Sequence, residues 1–229
     1  NQKLRRAEAD PFQGVAADEP RAALIGRDIL TAGGSAADAA LAMYFTLAVT
    51  LPSTASLGGG GVCLVHESVT GRTTILDFTA TAPTSLPPNS TRPSATPGAV
   101  KGMYELHRRY GRASWGKLIK PAEQLARFGV PVSRALANDL RLAATEFFMD
   151  PNAKFIFAHP DGTPLDEGDI LEQFDLARVL TRLRLHGVGD FYTGQTAAAL
   201  TRGAELGSAS LSRADLGNIR ALWREAVTT

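Results

Sequence analysis

The 229 residues are 44% hydrophobic and 21% charged, the composition of a globular chain with enough apolar material for one sizeable core. Its 24 basic and 23 acidic residues are interspersed and leave a net charge of +1, which excludes a basic stripe for nucleic acid or for an anionic membrane. The longest apolar run, residues 39–51, is shorter than the about 18 residues of a bilayer-spanning helix and contains Thr46 and Thr50, so no transmembrane segment is expected.

Residues 1–17 are polar, carry Pro11 and Gly14, and read as an N-terminal arm. Their charges are not followed by an apolar stretch, so no signal peptide is expected within the sequence. Asp18 has the character of an N-cap with Pro20 in the first turn. Ala22, Ile25, Ile29 and Ala32 then recur at helical spacing until Gly33 and Gly34 stop the helix. Ser35 and Asp38 have the spacing of a capping box, and the helix they open is apolar almost all round as far as Val49. Small residues such as Ala36, Ala37, Ala39, Ala40 and Ala42 let it lie close to its neighbours.

Four glycines, Gly58, Gly59, Gly60 and Gly61, precede a β-branched and aliphatic run from Val62 to His66. A turn at residues 68–72 and a second run from Thr73 to Phe78 complete a hairpin. The glycines invite a phosphate-binding reading, but no GK[ST] ending and no helix follow. Close backbone approach is the expected role. Residues 83–97 hold five prolines and read as an irregular crossing, which contains the sequon Asn89, Ser90 and Thr91.

Helical spacing resumes after Gly98 with Val100, Met103, Leu106 or His107, and Tyr110 inward, and Gly111 ends it. A helix starting at Ser114 carries Trp115, Leu118 and Ile119, is interrupted at Pro121, and continues from Ala122 to Phe128. Another begins at Ser133 with Leu136, Leu140, Ala143 and Phe147 inward. Residues 149–169 read as a long loop. Helices return from Phe174 through Leu183 and from Tyr192 to Glu205. Ser212 and Asp215 repeat the capping-box spacing, and residues 221–227 form a short strand.

No residue set announces its own chemistry. His66, His107, His159 and His186 are scattered without zinc-motif spacing, so no metal is expected. Asp166, Glu167 and Asp169 lack the further ligands of a calcium loop and read as a solvated turn. No G-x-S-x-G elbow is present. The lone Cys63 excludes an internal disulfide and, within a strand pattern, reads as a small core hydrophobe rather than a nucleophile. From residues alone the chain is a helical protein with one hairpin and no self-contained catalytic set.

The ordered segments AGGSAADAALA, LGGGGVCLV, LDFTATAP, ATPGAVKGMYELHRRYGRASWGKLIKPAEQLARFGVPVS, DFYTG and LSRADLGNIRALWREA resemble the large subunit of γ-glutamyltransferases, also called γ-glutamyltranspeptidases or glutathione hydrolases. The resemblance covers nearly the whole chain from about Gly14. It implies an α+β fold, the αββα sandwich of N-terminal-nucleophile hydrolases, of which residues 18–229 supply the helix-rich large-subunit part. It also implies a precursor that cleaves itself, and a partner small subunit whose N-terminal threonine attacks a γ-glutamyl or related acyl amide, with no cofactor. This chain starts at Asn1, and Thr228 and Thr229 have no free α-amino group, so no catalytic residue is placed in it.

The family places an arginine, which grips the substrate α-carboxylate, where this chain has Thr79. Phe78 and Thr79 are therefore the expected substrate-binding residues, and threonine cannot form the bidentate pair that arginine forms. The resemblance implies a shifted substrate or, alternatively, an inactive accessory or binding subunit. It further implies a periplasmic or secreted protein.

Overall fold

The computed structural model describes residues 13–84, 94–207 and 209–227. Residues 1–12 of the expected arm, the sequon at Asn89, and Thr228 and Thr229 lie outside them.

Helix α1 (Pro20–Thr31) is capped by Glu19 rather than by the expected Asp18. Pro20 occupies the first helical position, so the cap falls on the residue before it, and the Glu19 carboxylate accepts the Ala22 N–H at 3.1 Å. The chain leaves α1 through Gly33 at φ 87°, a conformation that costs a glycine little. α2 (Ala36–Thr50) opens on the expected capping box, with Asp38 N–H to Ser35 Oγ at 3.1 Å and Ser35 N–H to Asp38 Oδ2 at 2.9 Å. α1 and α2 cross closely at Gly26, where a Cβ would stand 2.3 Å from the Met43 sulfur.

The hairpin is present as β1 (Val62–Glu67) and β2 (Arg72–Asp77), antiparallel, with Leu64 opposite Ile75. The expected last strand, β5 (Leu222–Glu225), joins the free edge of β2 with Arg224 opposite Ile75, so the sheet order is β1-β2-β5. Thr74 and Leu76 point into the core, while Val62, Leu64 and Leu222 on the opposite face are exposed. Cys63 is only half-buried at the edge of the core rather than inside it, because β1 is an edge strand.

Helices cover the inner face. α3 (Ala99–Tyr110) buries Val100, Met103 and Leu106 as its spacing predicts. α4 (Trp115–Phe128) runs unbroken through Pro121, contrary to the expected interruption. Leu118, Ile119, Ala122 and Ala126 form one buried face across the proline, and that packing offsets the lost backbone bond. α5 (Arg134–Phe147) is capped by Ser133, and it buries Leu136 and Leu140 but leaves Ala143 exposed and Phe147 38% exposed, since the helix outruns the core.

The expected loop at residues 149–169 contains α6 (Pro151–Phe157), started by Asp150, whose carboxylate accepts the Asn152 N–H at 2.8 Å. β3 (Val130–Pro131) pairs with β4 (Ile170–Leu171), a ladder too short to leave a period in the sequence. α7 (Phe174–His186) packs its Leu180 and Leu183 against α4, and the Trp115 indole N–H donates to Leu183 O at 3.0 Å. The five-residue α8 (Val188–Tyr192) was not legible in the sequence, whereas α9 (Gln195–Leu206) and α10 (Arg213–Asn218) were.

Two buried carboxylates tie this layer together. Asp38 is fully buried and, besides its cap, accepts the backbone N–H of Arg112 at 3.0 Å and of Ala113 at 3.1 Å, fixing the α3–α4 connection to the start of α2. Asp190 on α8 accepts from Arg182 Nε at 2.9 Å, from the Gln195 N–H at 3.2 Å and from the Thr196 hydroxyl. The Arg182 guanidinium, helped by those donors, outweighs burial and holds the Asp190 carboxyl down at about 2.

Asp38→Ala strands buried N–H donors on two segments and is expected to cost about 3 kcal/mol, read as a lower denaturant midpoint at unchanged slope. For Asp190 the folded value lies below the unfolded one of about 3.9, so its stabilisation is complete above that pH and disappears as pH falls through about 2. Asp190→Asn should therefore lower the thermal midpoint at pH 7, and the gap to the parent protein should shrink between pH 4 and pH 2.

Candidate active-site edge

The glycine loop, the segment leaving β2 and the start of α3 meet at one end of the three-stranded sheet. Phe78 continues the hairpin ladder by one pair, its N–H donating to Gly61 O at 2.9 Å and its carbonyl accepting the Gly61 N–H at 3.3 Å. Gly59 O accepts the N–H groups of Gly98 at 2.9 Å and Ala99 at 3.0 Å, joining the loop to the first turn of α3. Thr81 and Thr96 close the far side with a reciprocal backbone bridge, Thr96 N–H to Thr81 O at 2.7 Å. From α8, the buried Tyr192 hydroxyl donates to Pro97 O at 3.0 Å and accepts the Lys101 N–H at 2.9 Å.

Glycine is required here for space. A Cβ on Gly60 would stand 2.2 Å from Ala80 N, one on Gly98 would stand 2.1 Å from Phe78 O, and one on Gly102 would stand 2.2 Å from Phe78 Cγ. The backbone from 78 to 80 is thus held between the glycine loop and α3 with no room for side chains on either side. This is the close approach that the glycine run predicts.

The two expected site residues are neighbours in sequence but face opposite ways. Phe78 is 4% exposed and lies in the core, where its ring covers Gly102 and Gly61. Thr79 is exposed, and its hydroxyl donates to Asp77 Oδ1 at 2.7 Å while its N–H reaches the same oxygen at 3.1 Å. The other oxygen of Asp77 receives Arg224 Nη2 from β5 at 3.3 Å. The Thr79 hydroxyl and N–H, then Arg224, hold the Asp77 carboxyl below its ordinary range, so it stays ionised. The sequence reading did not foresee the pairing of Asp77 with Arg224 beside Thr79; Arg224 carries no local signal, because only strand pairing brings β5 beside β2.

The remaining candidates do not converge. His66 bonds the Thr73 hydroxyl at 2.9 Å, His107 the carbonyl of Ala113 at 2.8 Å, and His159 pairs with Asp169 at 3.0 Å. Among the described residues no group of three or more His, Cys, Asp or Glu is arranged to hold a metal. Glu167 is paired with Arg134 at 3.0 Å, and Asp169 accepts the Asp166 N–H at 2.6 Å, which makes that acidic turn a self-bonded surface element. Burial pushes the Cys63 thiol above its usual range, away from thiolate character.

Residues 22–229 match the family model described as Gamma-glutamyltranspeptidase. The chain is 35% identical to the glutathione hydrolase proenzyme of Escherichia coli K12 over 93% of its own length and 40% of the relative's. It is 34% identical to the capsule biosynthesis protein CapD proenzyme of Bacillus anthracis over 84% of its length and 35% of that protein's. It therefore spans about 40% or less of these curated relatives. The crystal structure of Helicobacter pylori γ-glutamyltranspeptidase superposes with a TM-score of 0.88 at 29% identity, over 95% of this chain and 67% of that one. The α+β fold is thus that of the N-terminal-nucleophile hydrolase structures. A family model that matches nearly the whole described chain, together with relatives above 30% identity, shows that the protein belongs to the γ-glutamyltranspeptidase family.

Proposed function

We propose that residues 18–229 are the large-subunit part of a γ-glutamyltransferase-like amidohydrolase, preceded by an arm at residues 1–17 and completed by a small subunit cut from the same precursor. The observation that carries this reading is the sheet with one bare face. Helices cover its inner side, while Val62, 62% exposed, Leu64, 67% exposed, and Leu222 stand open on the outer side beside the half-buried Ile75. An apolar sheet face of this kind is the surface on which a second sheet packs. The fixed segment from 78 to 80 lies at the end of that face, where a nucleophile brought by the second sheet can meet it.

In this scheme the hydroxyl of the partner's N-terminal threonine attacks the acyl carbon of a γ-glutamyl or related amide. Its α-amino group takes the hydroxyl proton and passes it to the departing amine as the C–N bond breaks. Water or an acceptor amine then attacks the resulting ester, returning the proton to the threonine oxygen. Backbone N–H donors stabilise the oxyanion in both halves. Thr79 faces the acyl group, and Phe78 fixes Thr79 from inside the core. The proenzyme names of the E. coli and B. anthracis relatives support processing into two chains. The family resemblance supports a periplasmic or secreted location.

Expression of the whole precursor is expected to yield two chains, the smaller beginning with threonine by N-terminal sequencing. Changing that threonine to alanine should abolish both cleavage and amide hydrolysis; an uncut precursor, or a different first residue, refutes the hydrolase reading. Leu64→Glu places a carboxylate on the bare face, at a cost of several kcal/mol once covered, and should abolish co-purification of the small chain. Val69→Glu, at the exposed tip of the hairpin, should leave it unchanged.

A further inference from the structure

We propose that Tyr192 is a positioning residue for the acyl donor: from α8 its hydroxyl caps the start of α3 and so fixes the segment from 78 to 80 that the donor meets. The inference rests on the amidohydrolase reading above and adds a residue to its binding machinery.

A steric conflict at Gly98 carries it. Gly98 is the N-cap of α3, and a Cβ there would stand 2.1 Å from Phe78 O, so the position must be glycine. Glycine has no side chain to accept a first-turn N–H, and α3 accordingly has no side-chain bond from its own cap. Two distant groups take that role. Gly59 O accepts the N–H groups of Gly98 at 2.9 Å and Ala99 at 3.0 Å. The Tyr192 hydroxyl accepts the Lys101 N–H at 2.9 Å and donates its proton to Pro97 O at 3.0 Å. Lys101 is the third residue of α3, whose N–H an ordinary N-cap side chain would engage. One phenol thus holds the chain on both sides of the glycine that presses on Phe78.

These contacts lie inside the chain, away from the bare sheet face. Tyr192 is 3% exposed, and Pro97, Gly98 and Ala99 are buried. Burial pushes the Tyr192 phenol above its ordinary range, so the hydroxyl keeps the proton that it donates. Its mounting is firm, because Asp190, two residues earlier on α8, is bonded by Arg182 and Thr196, and the Tyr192 ring meets Phe191 edge-on at 5.0 Å. Loss of the hydroxyl strands a carbonyl and an N–H at the start of α3, and Gly98 slackens against Phe78. The donor must then order the segment from 78 to 80 as it binds, a cost that falls on KM. A merely structural loss of folded enzyme lowers the number of working sites, hence kcat, and leaves KM alone.

The test uses the processed two-chain enzyme with γ-glutamyl-p-nitroanilide and glutaryl-p-nitroanilide, which differ only in the α-amino group. Tyr192→Phe keeps the ring, so the core stays filled. It should raise KM for the better donor about 5–20-fold with kcat changed less than about twofold. Amide hydrogen exchange, read by mass spectrometry, should quicken about tenfold at residues 78–81 and 98–102 but not in α5. Thr201→Val, which removes a buried hydroxyl from α9, should do neither. If Tyr192→Phe leaves KM unchanged, or if exchange at residues 78–81 and 98–102 changes no more than in α5, this inference falls while the amidohydrolase reading stands. If the processed parent enzyme turns over neither donor, both fall.

Discussion

The backbone between Phe78 and Ala80 packs directly against the backbone of Gly60 and Gly98, while Gly102 leaves space for the Phe78 ring. Each contact is closer than any side chain would permit, so the loop before β1, the exit of β2 and the first turns of α3 are locked as one unit. The opposite orientations of Phe78 and Thr79, the two expected site residues, follow from that lock. With the Phe78 ring pressed over Gly102 into the core, alternation along the extended chain sends Thr79 out to solvent at the end of the sheet. A larger residue at any of the three glycines would move the segment that the proposed nucleophile must meet.

Around this unit, carboxylates that begin helices also serve as long-range anchors. Asp38 completes the cap of α2 and holds residues 112 and 113. Asp215 completes the cap of α10 and accepts the Thr84 N–H at 2.8 Å and the Thr84 hydroxyl, tying the chain beyond β2 to the last helix. Burial acts to raise the Asp215 carboxyl, but the Ser212 and Thr84 donors outweigh it and keep it ionised. A charge-assisted bond to a backbone N–H inside a dry layer is strong and directional, which suits it to fixing connections that apolar packing leaves free to slide.

The two faces of the sheet differ in what covers them. Its inner face is closed by α2, α3 and their neighbours, whereas its outer face carries apolar side chains and the Asp77–Arg224 pair. The proposed small subunit accounts for the difference, since its sheet packs on the bare face and brings the reacting group to that end.

The sequence by itself determined the local devices. Both capping boxes, the hairpin, the helix ends at Gly33 and Gly111 and the close-approach glycines were legible, because each depends on bonds or sterics within a few residues. Motif order also marked Thr79 as the distinctive position. Tertiary structure alone decided the rest: Pro121 stays helical because buried faces on both sides hold it, the two-residue strands β3 and β4 exist only as each other's partners, and Phe78 turns inward because Gly102 leaves room for it. The pairing of Asp77 with Arg224 belongs to the same class. No local pattern encodes it, since it arises only when β5 docks on β2 and sets two distant side chains on one face.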